Sequence, residues 1–216
     1  VSASVTPGWP VTLREGPVGL RPLRRRDRVA WLEVRGRNLD WLAPWEATPP
    51  RDAPALAFPT MVRNLRRQAR HGQLMPFALT YDARLVGQLT VGSITWGSLC
   101  AAHIGYWIDV RMAGRGIMPT ALALATDHCL GTVGLHRIEV NIRPENVASL
   151  RVVEKLGFRD EGIRRAYLHI AGAWRDHRTF ALTADELPPG GLLARWRARS
   201  HPSEPSGPGS PHQSQE

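Results

Sequence analysis

Lysine is almost missing from this chain of 216 residues: of 28 basic side chains, only Lys155 is not an arginine. A bias so uniform reads as the habit of a genome more than as the chemistry of a site. The formal charge is still +9, with 19 acidic residues, and this favours anionic partners, either a phosphorylated cofactor or an RNA surface. Cysteine is scarce too. Cys100 and Cys129 cannot build a disulfide framework or a metal set, and both lie in apolar stretches that suit packing. The histidines show no pair at ligand spacing, so no metal site is expected. No apolar run approaches ~18 residues and no secretory leader is evident, which predicts a cytoplasmic protein without membrane contact. Internal repeats and recognised nucleic-acid motifs are absent as well; Arg24, Arg25, Arg26 and Arg28 could touch nucleic acid, although a solvated helix start accounts for them.

What the chain does have is enough apolar content, 43% hydrophobic residues, for one core. Residues 11–199 are expected to form that domain, after an N-terminal extension at 1–10. A tail at 200–216, rich in Pro, Ser, Gly and Gln without periodicity, is expected to be disordered. The periodicity predicts a strand over 11–23, broken by Gly19 and ended by Pro22. A helix opens at Asp27 and runs through Leu39, and a second covers 52–71, interrupted at Pro59. Strands follow at 74–81, 85–96 and 101–110, then a helix from Ile117, a strand at 137–143 and a helix at 147–156. A hairpin over 165–183 turns at Ala171-Gly172, and residues 184–199 suit a short terminal helix. This order predicts an α/β (α+β) fold, with helices on a mostly antiparallel sheet.

The most informative stretch is Arg111-Met112-Ala113-Gly114-Arg115-Gly116, set between a strand and the helix from Ile117. Gly114 and Gly116 let the backbone bend sharply and approach a ligand, so that successive N–H groups and the positive helix end can hold phosphate oxygens. An ordinary βα turn is the plainer alternative. No Gly-Lys-Ser/Thr follows, so this is not a Walker loop, and a third glycine of a dinucleotide fingerprint is missing. A second cluster follows the strand at 137–143: Pro144 closes the strand, Asn146 can cap a helix, and Gly157 ends that helix about three turns later.

Arg-x-x-Gly-x-Gly at a strand–helix junction, then Asn146-x-x-Ser149 and Glu154-Lys155-Leu156-Gly157-Phe158, resembles the GCN5-related N-acetyltransferase (GNAT) superfamily. The resemblance runs from Gly16 to Thr183, roughly four-fifths of the chain. Leu42-Ala43-Pro44-Trp45-Glu46 and the segment Tyr167–His177 are similar to RimJ-type ribosomal-protein-alanine N-acetyltransferases. The resemblance implies the GNAT fold, with two splayed central strands and the acyl-carrying arm of acetyl-CoA between them. It also implies that the backbone around Ile108 and Val110 holds the pantetheine, and residues 111–117 (Arg111, Met112, Gly114, Arg115, Gly116, Ile117 among them) hold the pyrophosphate. Asn146 would bond the pantetheine arm, although a simple N-cap explains it equally.

Acyl transfer to an amine requires a proton acceptor, a donor to the developing oxyanion and a donor to the leaving thiolate. Glu139 is the candidate base, acting through water; a strand carboxylate paired to an arginine is the alternative. The position seven after Asn146, where relatives carry a tyrosine acid, is Val153 here. The resemblance to RimL-like relatives makes Ser149 the expected thiolate partner; a serine in the first turn of a helix is the plainer alternative. On the acceptor side Glu46 could attract an ammonium, and Trp41 and Trp45 could wall the cleft. Tyr106 and His103 are placed together on one side of the strand around Ile104, where they could line the acceptor channel, although a packed aromatic is the plainer alternative, and Tyr167 could add a hydroxyl. The activity implied is acetylation of a protein N-terminus, the alanine end of a small-subunit ribosomal protein, in a ternary complex without a cysteine intermediate. Acetylation of aminoglycosides or polyamines, or a catalytically weak module binding CoA and ribosomal RNA, are the alternatives. Both a monomer and a homodimer remain open.

Overall fold

A computed structural model describes residues 7–51 and 56–200. All but Ser200 of the tail expected at 200–216, the first residues of the extension and the start of the helix expected at 52 lie outside the described residues; Ser200 ends the terminal helix. Eight strands form one sheet in the order β1-β2-β3-β4-β5-β6-β8-β7. The strands are β1 (Leu13–Glu15), β2 (Val18–Pro22), β3 (Met75–Tyr81), β4 (Arg84–Thr95), β5 (Ala101–Ile108), β6 (Arg137–Ile142), β7 (Arg159–Ile170) and β8 (Ala173–Thr183). All neighbours are antiparallel except β5 and β6.

Strand alternation feeds two cores. Phe77, Leu79, Val86 and Leu89 face the larger one, together with α4 (Ile117–Asp127) and α5 (Val147–Leu156). Ala78 and Leu85 face the other side, where α1 (Arg28–Gly36) and α3 (Phe58–Arg70) contribute Val34, Phe58 and Val62. Helix α4 is buried from Ile117 to Thr126, as a helix apolar all round must be. The terminal helix α6 (Gly191–Ser200) packs on it, and Trp196 Nε1 donates to Thr120 Oγ1 at 2.9 Å.

Three expectations need correction. The strand expected over 11–23 is a hairpin, because Glu15-Gly16-Pro17 turns the chain; Gly19 sits inside β2, where a Cβ would lie 2.6 Å from Thr80 Oγ1. The first helix stops at Gly36 and resumes as α2 (Leu39–Leu42). Pro59 lies in the first turn of α3, where its missing N–H is harmless, and does not interrupt it.

One feature of the sheet positions the site. The parallel pair is hydrogen-bonded only across Ala101–His103 and Arg137–Glu139. Beyond that β5 runs on to Ile108 beside β4, while β6 stays with β8 to Ile142. The sheet therefore splits into a V.

Candidate active site

A cavity of about 660 Å³ passes through the split. On one face of the sheet it is lined by the loop at Met112–Gly116, the first turn of α4 and one side of α5. On the other face it is lined by Trp31 and Arg35 of α1, by Trp41 and Trp45, and by Met61 of α3. Tyr106, Trp107 and Ile108 of β5 form the wall between.

The backbone of β5 is exposed to this gap for a definite reason. Antiparallel pairing alternates bonded and non-bonded residues, and Asp109 N–H donates to Val86 O at 2.8 Å. By that alternation the N–H and C=O of Ile108 and Tyr106 point away from β4, towards the partner that β6 has ceased to be. Val110 does not share this property. Its N–H donates to Asn38 Oδ1 at 2.9 Å and its carbonyl accepts from Ala113, so the backbone expected around Ile108 and Val110 narrows to Ile108.

The loop is held from below by Asp109, which is 2% exposed. Arg37 donates to its Oδ2 from Nε at 3.0 Å and from Nη2 at 2.6 Å, Asn38 Nδ2 to its Oδ1 at 3.0 Å, and Arg111 N–H to the same Oδ1 at 3.2 Å. Burial pushes this carboxyl up, but the Arg37 and Asn38 hydrogen bonds and the Arg111 N–H outweigh it and hold its pKa below the ordinary value. Gly114 and Gly116 then take φ of +77° and +74°, the left-handed region where glycine is at ease. Around Gly114 a Cβ would meet nothing within 4 Å, and Gly116 caps α4.

A diphosphate fits this arrangement: an open turn, the positive end of a buried helix, and two cations. Of the cations near the loop, those expected and those lining the cavity differ. Arg111 and Arg115 are exposed and do not line the cavity; Arg151 and Lys155 of α5 do. Sequence reasoning passed over these two, although Ala148, Arg151, Val152 and Lys155 have the i, i+3, i+4, i+7 spacing of one helical face.

Asn146 and Ser149 both line the cavity. Asn146 Oδ1 accepts the Ser149 N–H at 3.1 Å, so it is the N-cap of α5, and its amide NH₂ remains as a donor on the cavity wall. Ser149 Oγ lies 2.7 Å from Tyr106 Oη. A tyrosine does reach this point, then, but from β5 and not from α5; Val153 is fully buried in the core. Burial pushes the Tyr106 hydroxyl up strongly, keeping it protonated and able to donate.

His103 and Tyr106 do not face one way, as had been expected. They are three apart in a strand of period two, so Tyr106 turns towards α5 while His103 lies on the opposite face beside Glu139. Glu139 sits at the apex of the V but does not line the cavity. Its carboxylate accepts from Arg137 Nε at 2.8 Å and Arg164 Nη2 at 2.8 Å, with His103 Nε2 at 3.2 Å. Burial raises it, yet the Arg137 bond and the charges of Arg164, His103 and Arg137 prevail and hold it below its usual range. His103 is lowered chiefly by burial, partly opposed by Glu139 and reinforced by the two arginines.

At the acceptor end, Glu46 is ion-paired to Arg35, whose guanidinium lies 5.3 Å from the Trp107 ring centroid and 6.0 Å from that of Trp31. Trp45 is covered by the Arg143 guanidinium at 5.5 Å, and Arg143 Nη1 donates to Pro44 O at 2.7 Å. The strap continues to Thr48, whose N–H donates to His169 O at 2.9 Å, so residues 43–48 roof the cavity from α2 to β7. Tyr167 stacks with His177 and Arg164, and does not line the cavity. Cys129 is buried in the larger core, its thiol pushed up to about 12 by burial, and neither cysteine lines the cavity. Among the described residues no helix is long and apolar enough to cross a membrane.

Residues 18–159 match the family described as acetyltransferase (GNAT) domain. The chain belongs to the GNAT family. It is 33% identical over 175 residues to the [ribosomal protein uS5]-alanine N-acetyltransferase of Escherichia coli, a match covering 76% of this chain and 87% of that protein. The relative YjcK of Bacillus subtilis is 43% identical over 101 residues, 47% of this chain, and the match spans 56% of that relative's length. Among solved structures, Mycobacterium smegmatis RimJ in complex with CoA-disulfide superposes with a TM-score of 0.84 at 43% identity, covering 90% of this chain and 97% of that one. The ribosomal-protein-S5-alanine acetyltransferase of Vibrio fischeri gives 0.72 at 27% identity, covering 82% and 98%.

Proposed function

We propose that this GNAT protein acetylates the free α-amine of a protein N-terminus from acetyl-CoA, the acceptor being the N-terminal alanine of a small-subunit ribosomal protein in the cytoplasm. The observation that carries the reading is the continuous cavity through the split sheet, with a phosphate cradle on one face and a tryptophan-walled end on the other. The named activities of the Escherichia coli and Vibrio fischeri relatives support the acceptor. So does the charge at that end: Glu46 is already neutralised by Arg35, which leaves little to attract a polyamine or aminoglycoside.

Acetyl-CoA supplies the acyl group as a thioester. Gly114, Gly116, the first turn of α4, Arg151 and Lys155 bind its diphosphate, and the Asn146 amide and the Ile108 backbone orient its arm. The Ile108 N–H faces the place where charge develops on the acyl oxygen. The hydrogen-bonded hydroxyls of Tyr106 and Ser149 would hold the leaving sulfur as it gains charge, and the proton given to it would be replaced by the second proton that the amine loses after attack. Glu139, which lies outside the cavity lining and is engaged by Arg137, Arg164 and His103, would receive the ammonium proton only through a chain of water. Transfer is direct, since no cysteine lines the cavity.

The test is release of CoA thiol with two peptides beginning with alanine, one with a free and one with a formylated α-amine. Turnover on the free amine alone is expected. Equal turnover on both, or turnover on polyamines and on neither peptide, would overturn the reading.

A further inference from the structure

We propose that the outer face of α3, with the turn before α1, docks on the phosphate backbone of folded RNA; this rests on the ribosomal reading above. Arg63, Arg66, Arg67 and Arg70 are all exposed, and their i, i+3, i+4, i+7 spacing sets them in one stripe. The stripe lies across the helix from Phe58, Val62 and Ala69, which are buried. It is about 10.5 Å long at 1.5 Å per residue. Beside it, Arg24, Arg25 and Arg28 are exposed on the turn and helix start that pack against the same helix.

None of these seven arginines is paired with a carboxylate among the described residues. Elsewhere among the described residues some arginines are ion-paired, such as Arg21 with Asp27, Arg37 with Asp109, Arg137 with Glu139 and Glu161, and Arg178 with Asp160, while others such as Arg14, Arg84 and Arg165 are not. This face differs in that its unpaired Arg63, Arg66, Arg67 and Arg70 lie in one helical stripe. Like charges at these spacings also repel along a helix. The negative end of the helix offsets this only for Arg67 and Arg70, in the last turn. Arg63 and Arg66 are left with a repulsion that a polyanion would relieve.

The shape of the surface selects among polyanions. The apolar face of α3 is spent on the core, but Val29 and Leu32 of α1 and Leu56 before α3 are exposed near these cations, so an anionic lipid surface is the competitor that the experiment separates from RNA. A rigid row of guanidinium groups suits successive phosphates. The same helices carry Trp31, Arg35 and Met61 at the acceptor end of the cavity. RNA on their outer faces would therefore hold a ribonucleoprotein with its protruding chain end beside the entrance.

The experiment measures binding of the full chain to a labelled RNA duplex of about twenty base pairs over a salt series, by fluorescence anisotropy. The comparison is a variant carrying Arg63→Gln, Arg66→Gln, Arg67→Gln and Arg70→Gln. Glutamine keeps the helical preference, and circular dichroism and acetylation of the free alanine peptide should both match the wild type. Losing four phosphate contacts should flatten the slope of log affinity against log salt by about 3 units and weaken binding at least tenfold near 0.1 M salt. Equal RNA affinity and slope in the two proteins, with the peptide still acetylated, would overturn this inference alone. Binding of the wild type to anionic phosphatidylserine vesicles with none to RNA would overturn it as well. Failure of peptide acetylation is read in a separate assay and bears on the catalytic reading.

Discussion

Two hydroxyls 2.7 Å apart at the centre of the cavity, on Tyr106 and Ser149, carry different weights. Both reach the gap, and a phenol is inherently a stronger acid than an aliphatic hydroxyl, although burial weakens this one. Tyr106→Phe should lower kcat by about tenfold to a hundredfold with little change in KM for acetyl-CoA, and Ser149→Ala less, in steady-state assays of thiol release. An equal loss from both would mean that serine is the terminal donor. At Gly114 the cradle has space but not the backbone freedom for a side chain. Gly114→Ala should weaken acetyl-CoA binding modestly through strain, and Gly114→Glu should abolish it in calorimetry, since a carboxylate would stand where phosphate belongs. Wild-type affinity in the Glu variant would remove the loop from the cofactor site. The proton acceptor can be tested in the same way. Glu139→Gln should cut turnover and leave acetyl-CoA affinity untouched, and a normal rate would show its carboxylate serves the arginines alone.

Helix α1 reaches its importance through its last turn, where Arg37 and Asn38 lock Asp109 and the Val110 N–H beneath the cofactor loop. Asp109 has a folded pKa below its ordinary 3.8. Its contribution to stability is therefore whole above about that pH and is lost as pH falls through the lower folded value. Melting temperatures taken between pH 6 and pH 3 should fall for the wild type and fall less for Asp109→Asn, which starts lower. Parallel curves would place the acid sensitivity elsewhere. Elements of this kind mark the limit of what sequence carries. Helix α5 was legible end to end because Asn146, Gly157 and its apolar spacing agree, and so were the strands that alternate between two cores. The loop glycines were legible from their place between strand and helix. The Asn38–Asp109 contact spans 71 positions and has no local signature, so nothing in the sequence showed that the Val110 N–H is taken by Asn38. The opposed faces of His103 and Tyr106 needed only strand parity, and were misread without it. Glu139 showed its charge in the sequence, but not the two arginines that β6 and β7 bring to it.

At the scale of the molecule the larger core closes with α6, where Leu192 is fully buried and Asp127 accepts the Leu192 and Leu193 N–H groups at 2.7 and 3.0 Å. Removing residues 201–216 should then leave the melting temperature and peptide acetylation unchanged, whereas a cut at 190 should lower the melting temperature by several degrees; a large loss from the shorter deletion would give the tail a part in the fold. The scarcity of lysine acquires a meaning on the same scale. A guanidinium group stays protonated and offers no lone pair, whereas an ε-amine competes for any thioester that it can reach. With Lys155 as its sole lysine, set at the cofactor cavity, the protein carries its reactive acyl donor across a surface nearly empty of rival nucleophiles.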